Sequence, residues 1–224
     1  MFKNILWLGG WASDIKCWEK EIEGLYPEQK HYFLDTHHLL SRPDLLQSAL
    51  QNLPVDTAIA AWSLGSLWIH QQISLGIWKS PHSIISICPI FDFCNPQGIW
   101  KPKILKRMQQ KLAIDKTQVL QDFWKQFQGP GELETAWLQQ AQSYSEETLK
   151  QGLDYLINTQ ITLNYLKPNA SRLFFVNAQK DLLSPALPAL HQTPFQSISV
   201  NGGHLPFLEN AQTFKSLFAK MQIA

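Results

Sequence analysis

The heptapeptide Ala60-Ala61-Trp62-Ser63-Leu64-Gly65-Ser66 constrains the fold more than any other stretch of this sequence. An apolar segment typical of a buried strand precedes it, and a segment typical of a helix follows it. A serine at such a turn, with small residues two positions before it (Ala61) and two after it (Gly65), is the pattern of a nucleophile elbow. Larger side chains at these two positions would clash with neighbouring backbone. The alternative is that Ser63 only caps the helix, because serine is a favoured N-cap residue.

Short apolar runs alternate with helical patterns along most of the chain. The runs that indicate strands are residues 5–8, 31–35, 54–59, 83–88, 172–178 and 195–200. The patterns that indicate helices are 18–25, 45–53, 67–72, 102–112, 116–127, 132–143, 145–156 and 211–221. Strands that alternate with helices predict parallel βαβ units in a doubly wound sheet. We therefore expect an α/β domain of residues 1–93 and 169–224, with about six mostly parallel strands and a helical lid at 94–168.

Composition excludes several classes of protein. The chain has 224 residues, 45% of them hydrophobic and 17% charged, which suits one soluble domain with a sizeable core. A net charge of +1 does not indicate nucleic-acid binding, which usually requires a strongly basic surface. No apolar run approaches the ~18 residues that a bilayer span requires, and the first residues lead into an apolar run instead of a signal peptide. The sequence thus predicts a cytoplasmic protein that does not bind membranes.

The sequence also predicts neither a metal nor a cofactor. Its three cysteines are Cys17, Cys88 and Cys94, and no CxxC spacing indicates a zinc ribbon or a disulfide framework. No phosphate-binding or dinucleotide-binding glycine pattern is present, and no HExxH pattern indicates zinc. The histidines are scattered and do not form a set of metal ligands.

A nucleophilic serine needs a base and a group that orients the base, and two later loops offer them. Asp181 follows the fifth predicted strand, and His204 follows the sixth. The carboxyl ends of parallel strands meet at one edge of a sheet, which is where ligands bind. Ser63, Asp181 and His204 are therefore the predicted catalytic residues. Taken singly, Asp181 is equally a turn residue and His204 equally a surface-loop residue.

The other histidines fit the role of base less well. No acid follows His37 or His38 at a suitable position, although both come after the second predicted strand. His70 lies two turns into the elbow helix, where packing is the simpler explanation. His191 lies in a polar segment that indicates a surface loop.

Acyl transfer requires backbone N–H donors at the place where negative charge develops. We expect one from Leu64, directly after the serine, and one from Trp11, in the Gly9-Gly10-Trp11 loop after the first strand. Glycine lets this backbone approach a substrate closely. Gly10, Trp11 and Trp62 are accordingly the predicted substrate contacts. The alternative is that the two glycines mark an ordinary turn.

The predicted lid is basic. Between residues 99 and 128, seven basic residues accompany two acidic ones, a net of +5 in a chain whose total is +1. Such a patch can steer an acidic partner or an anionic substrate to the site. A solvated helix face explains the pattern equally well.

The motifs at Gly10-Trp11, residues 62–65, Asp181 and Gly203-His204 resemble those of the α/β-hydrolase superfamily over the whole chain, in the same order Ser, Asp, His. Within it, the sequence is most similar to the pimeloyl-[acyl-carrier protein] methyl ester esterase family of biotin synthesis. The predicted lid carries this narrower resemblance, in residues 98–105, 109–112 and 152–156. Relative to the superfamily, the two antiparallel strands that open the fold are expected to be missing.

The resemblance implies a reaction and a partner. Ser63 would attack the methyl ester of a pimeloyl chain carried on acyl-carrier protein, His204 would act as base and then as acid, and Asp181 would hold the tautomer of His204. The basic lid would face the acidic carrier protein. The same residues would also serve an acyl thioesterase, a small-molecule carboxylesterase or, more remotely, a lyase of menaquinone synthesis. A different class of function, a non-catalytic binding protein, would leave them unused.

Overall fold

Six strands form one sheet in the structure, a computed structural model that describes residues 2–78, 82–96, 98–127, 129–184 and 194–220. The strands are β1 Asn4–Leu8, β2 Lys30–Leu34, β3 Thr57–Trp62, β4 Ile84–Ile87, β5 Leu173–Ala178 and β6 Gln196–Val200. Their order in the sheet is β2-β1-β3-β4-β5-β6, and each pairing is parallel. All six predicted strands are present, and the sheet is parallel throughout.

The third strand begins and ends later than the sequence predicted. Residues 54–59 were expected, whereas β3 spans Thr57–Trp62. The carbonyl of Pro54 accepts the N–H of Thr57 in a turn, so the strand starts after it. At the other end, residues 59–62 pair with β4 and are fully buried. Trp62 therefore ends the strand, and Ser63 is the first residue beyond it.

Helices connect the strands. They are α1 Glu19–Leu25, α2 Thr36–Ser41, α3 Asp44–Gln51, α4 Leu64–Ser74, α5 Pro102–Leu112, α6 Lys116–Trp124, α7 Glu134–Ser143, α8 Glu146–Asn158, α9 Pro206–Glu209 and α10 Ala211–Lys220. Helix α5 has the predicted bounds, while α6 ends three residues before the predicted end at 127. The short helices α2 and α9 were not predicted. Among the described helices, none is both long and apolar enough to cross a membrane.

The inserted helices, α5 to α8, follow β4 and precede β5 in the chain. Helix α5 packs on α6 and α8, and α6 packs on α7. Three contacts fix them on the carboxyl edge of the sheet: Trp137 Nε1 donates to Ser13 Oγ (2.6 Å), Trp11 Nε1 donates to the Leu149 carbonyl (2.9 Å), and His204 N donates to the carbonyl of Phe127 (2.8 Å). Phe127 lies just after α6. The insertion therefore covers the edge at which ligands bind in such sheets.

The central strands form the core. Every residue of β1, β3 and β4 is buried, whereas the edge strands β2 and β6 are partly exposed. Strands buried on both faces are expected for a parallel sheet that helices cover on both sides. This rigid centre sets the positions of the loops that follow β1, β3 and β4.

Candidate active site

Ser63 occupies a strained turn between β3 and α4. Its φ is 55° and its ψ is −116°, a left-handed backbone that non-glycine residues adopt at a cost. The first turn of α4 passes close to β1: a Cβ on Gly65 would lie 2.8 Å from the carbonyl oxygen of Gly9 and 2.9 Å from that of Leu8. Only glycine fits there. The turn thus has the form that the sequence predicted for a nucleophile elbow.

Ser63, His204 and Asp181 form one hydrogen-bonded chain, which we call the candidate triad. His204 Nδ1 lies 2.8 Å from Asp181 Oδ2, and His204 Nε2 lies 2.9 Å from Ser63 Oγ. An ionised carboxylate can only accept, so Nδ1 carries the proton and donates to Asp181. Nε2 is then free to accept the proton of the Ser63 hydroxyl. All three residues are buried, Ser63 with 6% of its surface exposed.

Asp181 is held as an ionised acceptor. Its Oδ1 accepts the N–H groups of Leu183 (2.8 Å) and Ser184 (3.1 Å), and its Oδ2 accepts from His204. Burial alone would raise the pKa of this carboxyl group. The electrostatic interaction and the hydrogen bond with His204, together with the Ser184 N–H, outweigh that effect and bring the pKa below its ordinary value. The carboxylate is therefore charged at neutral pH and fixes the tautomer of His204.

The backbone of His204 is anchored on two sides. Its carbonyl accepts the ring N–H of Trp62 (2.7 Å), and its N–H donates to the carbonyl of Phe127 (2.8 Å). The rings of Trp62 and Phe127 also lie 5.1 and 5.3 Å from the imidazole. Trp62 is fully buried, and its ring also packs against Trp18 and Phe207. Its predicted contact with substrate stays a prediction.

The loop after β1 lies against Ser63. A Cβ on Gly10 would lie 3.3 Å from Ser63 Cβ and 3.0 Å from the ring of Trp62, so glycine allows this approach. Leu64 is the first residue of α4. Within the described part of the chain, the backbone N–H groups of Trp11 and Leu64 donate to no protein acceptor. These two N–H groups follow Gly10 and Ser63 in the chain, and their predicted role toward an oxyanion stays a prediction.

The indole of Trp11 is enclosed by the inserted helices. Its Nε1 donates to the carbonyl of Leu149 in α8 (2.9 Å), and its ring meets Phe123 of α6 edge-on at 4.6 Å. Only 2% of Trp11 is exposed. The ring therefore joins the sheet edge to the inserted helices, a contact that the sequence did not predict.

Cys88 also lies at this site, although the sequence predicted it as the last residue of the strand 83–88. It directly follows β4 with a φ of 47°, and its Sγ lies 3.7 Å from the carbonyl oxygen of His204. Possible metal-ligand atoms of Cys88, Asp181 and His204 lie within 4.8 Å of one another. Because His204 Nδ1 is already bonded to Asp181 Oδ2, we assign the Asp181 and His204 atoms to the candidate triad. Burial, with the charge of Asp181, raises the pKa of the thiol, so it stays protonated.

The other histidines lie elsewhere. His37 Nε2 accepts the N–H of Ala12 (2.9 Å), which places it behind the β1 loop. His38 is exposed. His70 is buried, stacked on Phe91 at a ring distance of 4.8 Å. His191 lies outside the described residues.

The fold is similar to that of known hydrolases. An esterase from Exiguobacterium antarcticum superimposes with a TM-score of 0.76 at 15% identity, over 97% of this chain and 92% of that one. An α/β hydrolase from a Medee basin deep-sea metagenome library superimposes with a TM-score of 0.65 at 13% identity, over 98% of this chain and 90% of that one. A bromoperoxidase from Bacillus anthracis superimposes with a TM-score of 0.73 at 12% identity, over 99% of this chain and 93% of that one.

Such low identities show the fold alone, so the chain has the α/β-hydrolase fold. No protein-family model matches the sequence, and a search of curated proteins gives no significant match.

Proposed function

We propose that this protein is a serine carboxylester hydrolase that uses Ser63, His204 and Asp181. The observation that carries the proposal is the candidate triad itself: two hydrogen bonds of 2.8 and 2.9 Å at the carboxyl edge of the sheet, with the serine on a strained turn. A serine, a histidine and a carboxylate in this geometry are the parts that acyl transfer requires. The names of esterases with the same fold agree with this class of reaction, whereas the bromoperoxidase shows that the fold does not fix it.

In the proposed reaction, Ser63 Oγ attacks the ester carbonyl carbon while His204 Nε2 takes the hydroxyl proton. The resulting imidazolium is stabilised by Asp181 and gives its proton to the departing alcohol, which leaves an acyl-enzyme. Water, deprotonated by His204, then cleaves the acyl-enzyme, and the released serine regains the proton. His204 carries the protons that pass between the serine, the departing alcohol and the water.

The N–H groups of Trp11 and Leu64 are the donors that we propose for the oxyanion. Both are free of protein acceptors within the described residues, and Gly10 brings the β1 loop against Ser63. Loss of one such donor costs on the order of 10²–10³ in turnover in enzymes of this type. The buried surroundings strengthen the interaction because little water competes for the developing charge.

For the substrate, we propose pimeloyl-[acyl-carrier protein] methyl ester, with residues 94–168 acting as a lid that meets the carrier protein. Four basic side chains of α5, Lys103, Lys106, Arg107 and Lys111, are exposed, and the ion pairs among the described residues include none of them. An acidic carrier would complement this helix face. This substrate implies a cytoplasmic location. An acyl thioesterase or a small-molecule carboxylesterase would use the same triad without needing the charged helix.

A serine-reactive fluorophosphonate probe and two substrates test these proposals. The wild type should be labelled at Ser63 and should hydrolyse p-nitrophenyl butyrate; Ser63→Ala should lose both properties and keep its fold, while the exposed control Ser48→Ala should keep them. Turnover that survives Ser63→Ala would refute the triad, and an unlabelled, inactive wild type would favour a binding protein. Faster cleavage of pimeloyl-[acyl-carrier protein] methyl ester than of p-nitrophenyl butyrate would support the carrier-linked ester as the substrate.

A further inference from the structure

The two peptide groups that flank the Trp11 N–H are both held by α2, through the neighbouring residues Thr36 and His37. We propose that His37, assisted by Thr36, is a positioning residue that aims the Trp11 N–H at the oxyanion. The inference rests on the proposed ester hydrolysis, and the residues that it concerns lie outside the candidate triad.

The first hold is on the Gly9–Gly10 peptide. The carbonyl oxygen of Gly9 accepts the hydroxyl of Thr36 (2.7 Å) and the N–H of Gly65 (3.0 Å). Gly65 lies in the first turn of α4, two residues after Ser63. This peptide is therefore fixed both to α2 and to the elbow, and Thr36 is fully buried.

The second hold is on the Trp11–Ala12 peptide. Its N–H, that of Ala12, donates to His37 Nε2 (2.9 Å). Its carbonyl, that of Trp11, accepts the hydroxyl of Ser13 (3.0 Å), and Ser13 Oγ in turn accepts the indole N–H of Trp137 (2.6 Å). Both ends of this peptide are thus bonded to buried groups.

The peptide between these two is the one that carries the Trp11 N–H. With its neighbours fixed, only a narrow range of orientations remains for it. The backbone at Ala12 has a φ of 54°, which is unfavourable for a residue with a Cβ and persists only where surrounding contacts impose it. The bond to His37 is one of those contacts. Without it, Ala12 would be free to relax and the Trp11 N–H would turn away.

The surroundings of His37 suit the role of an acceptor. Burial lowers its pKa to about 4, with a further contribution from His38, so the ring is neutral at physiological pH and Nε2 can accept. The Asp35 side chain caps α2 by accepting the N–H of His37 (2.9 Å), which holds the residue in place. The ring lies 4.7 Å from that of Tyr144, and a Cβ on Gly152 would lie only 2.6 Å from its Cε1. The imidazole therefore has little room to rotate.

A donor that is aimed at the oxyanion acts mainly in the transition state, so its misalignment lowers kcat and leaves KM nearly unchanged. Two substitutions separate this role from packing. His37→Phe keeps a ring of similar size and removes the acceptor, whereas His37→Gln keeps an acceptor near the position of Nε2. The readouts are kcat and KM with p-nitrophenyl butyrate, the inhibition constant of butylboronic acid as a tetrahedral analogue, and the melting temperature.

We expect His37→Phe to lose about 10-fold or more in kcat, with KM within about two-fold and a matching loss of boronate affinity. His37→Gln should keep kcat within about three-fold of wild type. If His37→Phe does not fold, Thr36→Val and Thr36→Ser make the same comparison at the other peptide, with the loss expected in the valine variant only.

Full kcat in His37→Phe or Thr36→Val, or equal losses in both members of a pair, would overturn the inference while leaving the active wild type as evidence for ester hydrolysis. A wild type that neither labels with fluorophosphonate nor turns over would instead overturn the proposed function, and the inference with it.

Discussion

The backbone N–H of His204 donates to the carbonyl oxygen of Phe127 across 2.8 Å. Phe127 lies just after α6, and its ring packs 5.3 Å from the imidazole. The base of the candidate triad is therefore bonded directly to the inserted helices as well as to the sheet. A movement of these helices that breaks the bond also removes one support of His204.

This junction can be disturbed at Gly129. A Cβ there would lie 2.7 Å from Leu205 Cδ1, and Leu205 is fully buried next to His204. We expect Gly129→Ala to destabilise the protein by about 1–3 kcal/mol through overpacking and to lower turnover. Gly131→Ala is the matched control, since nothing lies within 4 Å of a Cβ at that position. Urea unfolding and p-nitrophenyl butyrate hydrolysis measure both effects, and identical behaviour of the two variants would contradict the expectation.

Asp181→Asn should reduce kcat by about a thousand-fold or more, because an amide can donate to His204 Nδ1 and stabilises the tautomer that cannot accept the serine proton. The Oδ1 of asparagine still accepts the N–H groups of Leu183 and Ser184, so the loop should keep its shape. Asp122→Asn, at an exposed position, is the control. Turnover above a tenth of the wild-type value would rule out the orienting role of Asp181.

The free energy of unfolding should fall below neutral pH because two buried histidines, His37 and His70, resist protonation in the fold. Burial lowers the pKa of His70 to about 3 from its ordinary 6.5. The unfolded chain takes up this proton below pH 6.5 and the folded chain does not, so stability is full above that pH and is lost as the pH falls toward 3. At pH 5 the loss from one such group is about 2 kcal/mol relative to pH 8.

His70→Phe tests this dependence at a site where the ring already stacks on Phe91 and meets Phe175 edge-on. The free energy of unfolding in urea, measured at pH 8 and pH 5, should fall by about 2 kcal/mol less in the variant than in the wild type. The same pH dependence in both proteins would show that His70 is not neutral in the fold.

Charge reversal on α5 tests the proposed carrier protein. The triple variant Lys103→Glu, Lys106→Glu and Arg107→Glu should weaken cleavage of the carrier-linked ester and leave that of the free ester unchanged, and the loss should shrink as salt is added. The control reverses three exposed lysines outside residues 94–168, Lys3, Lys20 and Lys215, for the same change in net charge. Equal losses on both substrates would argue against docking through α5.

The sequence was most informative where function depends on local backbone geometry. The small residues around Ser63 are required by a turn only a few residues long, so they identify the elbow directly. Asp181 and His204 could be selected because the carboxyl ends of parallel strands share one edge of the sheet. A residue that directly follows such a strand is therefore expected at that edge, whatever its distance along the chain. The alternation of strands with helices along the sequence predicted the parallel sheet.

Residues that act through distant contacts were not predictable in this way. His37 was set aside because no acid follows it, yet its contact is with the N–H of Ala12, 25 residues away. Trp62 was expected to contact substrate, while its ring N–H bonds His204, 142 residues away. Both contacts depend on how loops pack across the sheet, which neither periodicity nor spacing encodes. The one available signal for α2 was Asp35 before Thr36, a helix-capping pattern.

Among the residues that the structure describes, three with a Cβ adopt left-handed backbone, each after one of three neighbouring strands: Ala12 beyond β1, Ser63 after β3 and Cys88 after β4. Each such residue forgoes about 1–2 kcal/mol that glycine would recover. Substitution of Ala12 or Cys88 by glycine is therefore a way to recover part of this conformational energy in a more heat-resistant variant. Ser63 cannot be exchanged in the same way, since the proposed reaction requires its hydroxyl. Thermal stability and turnover therefore compete at Ser63.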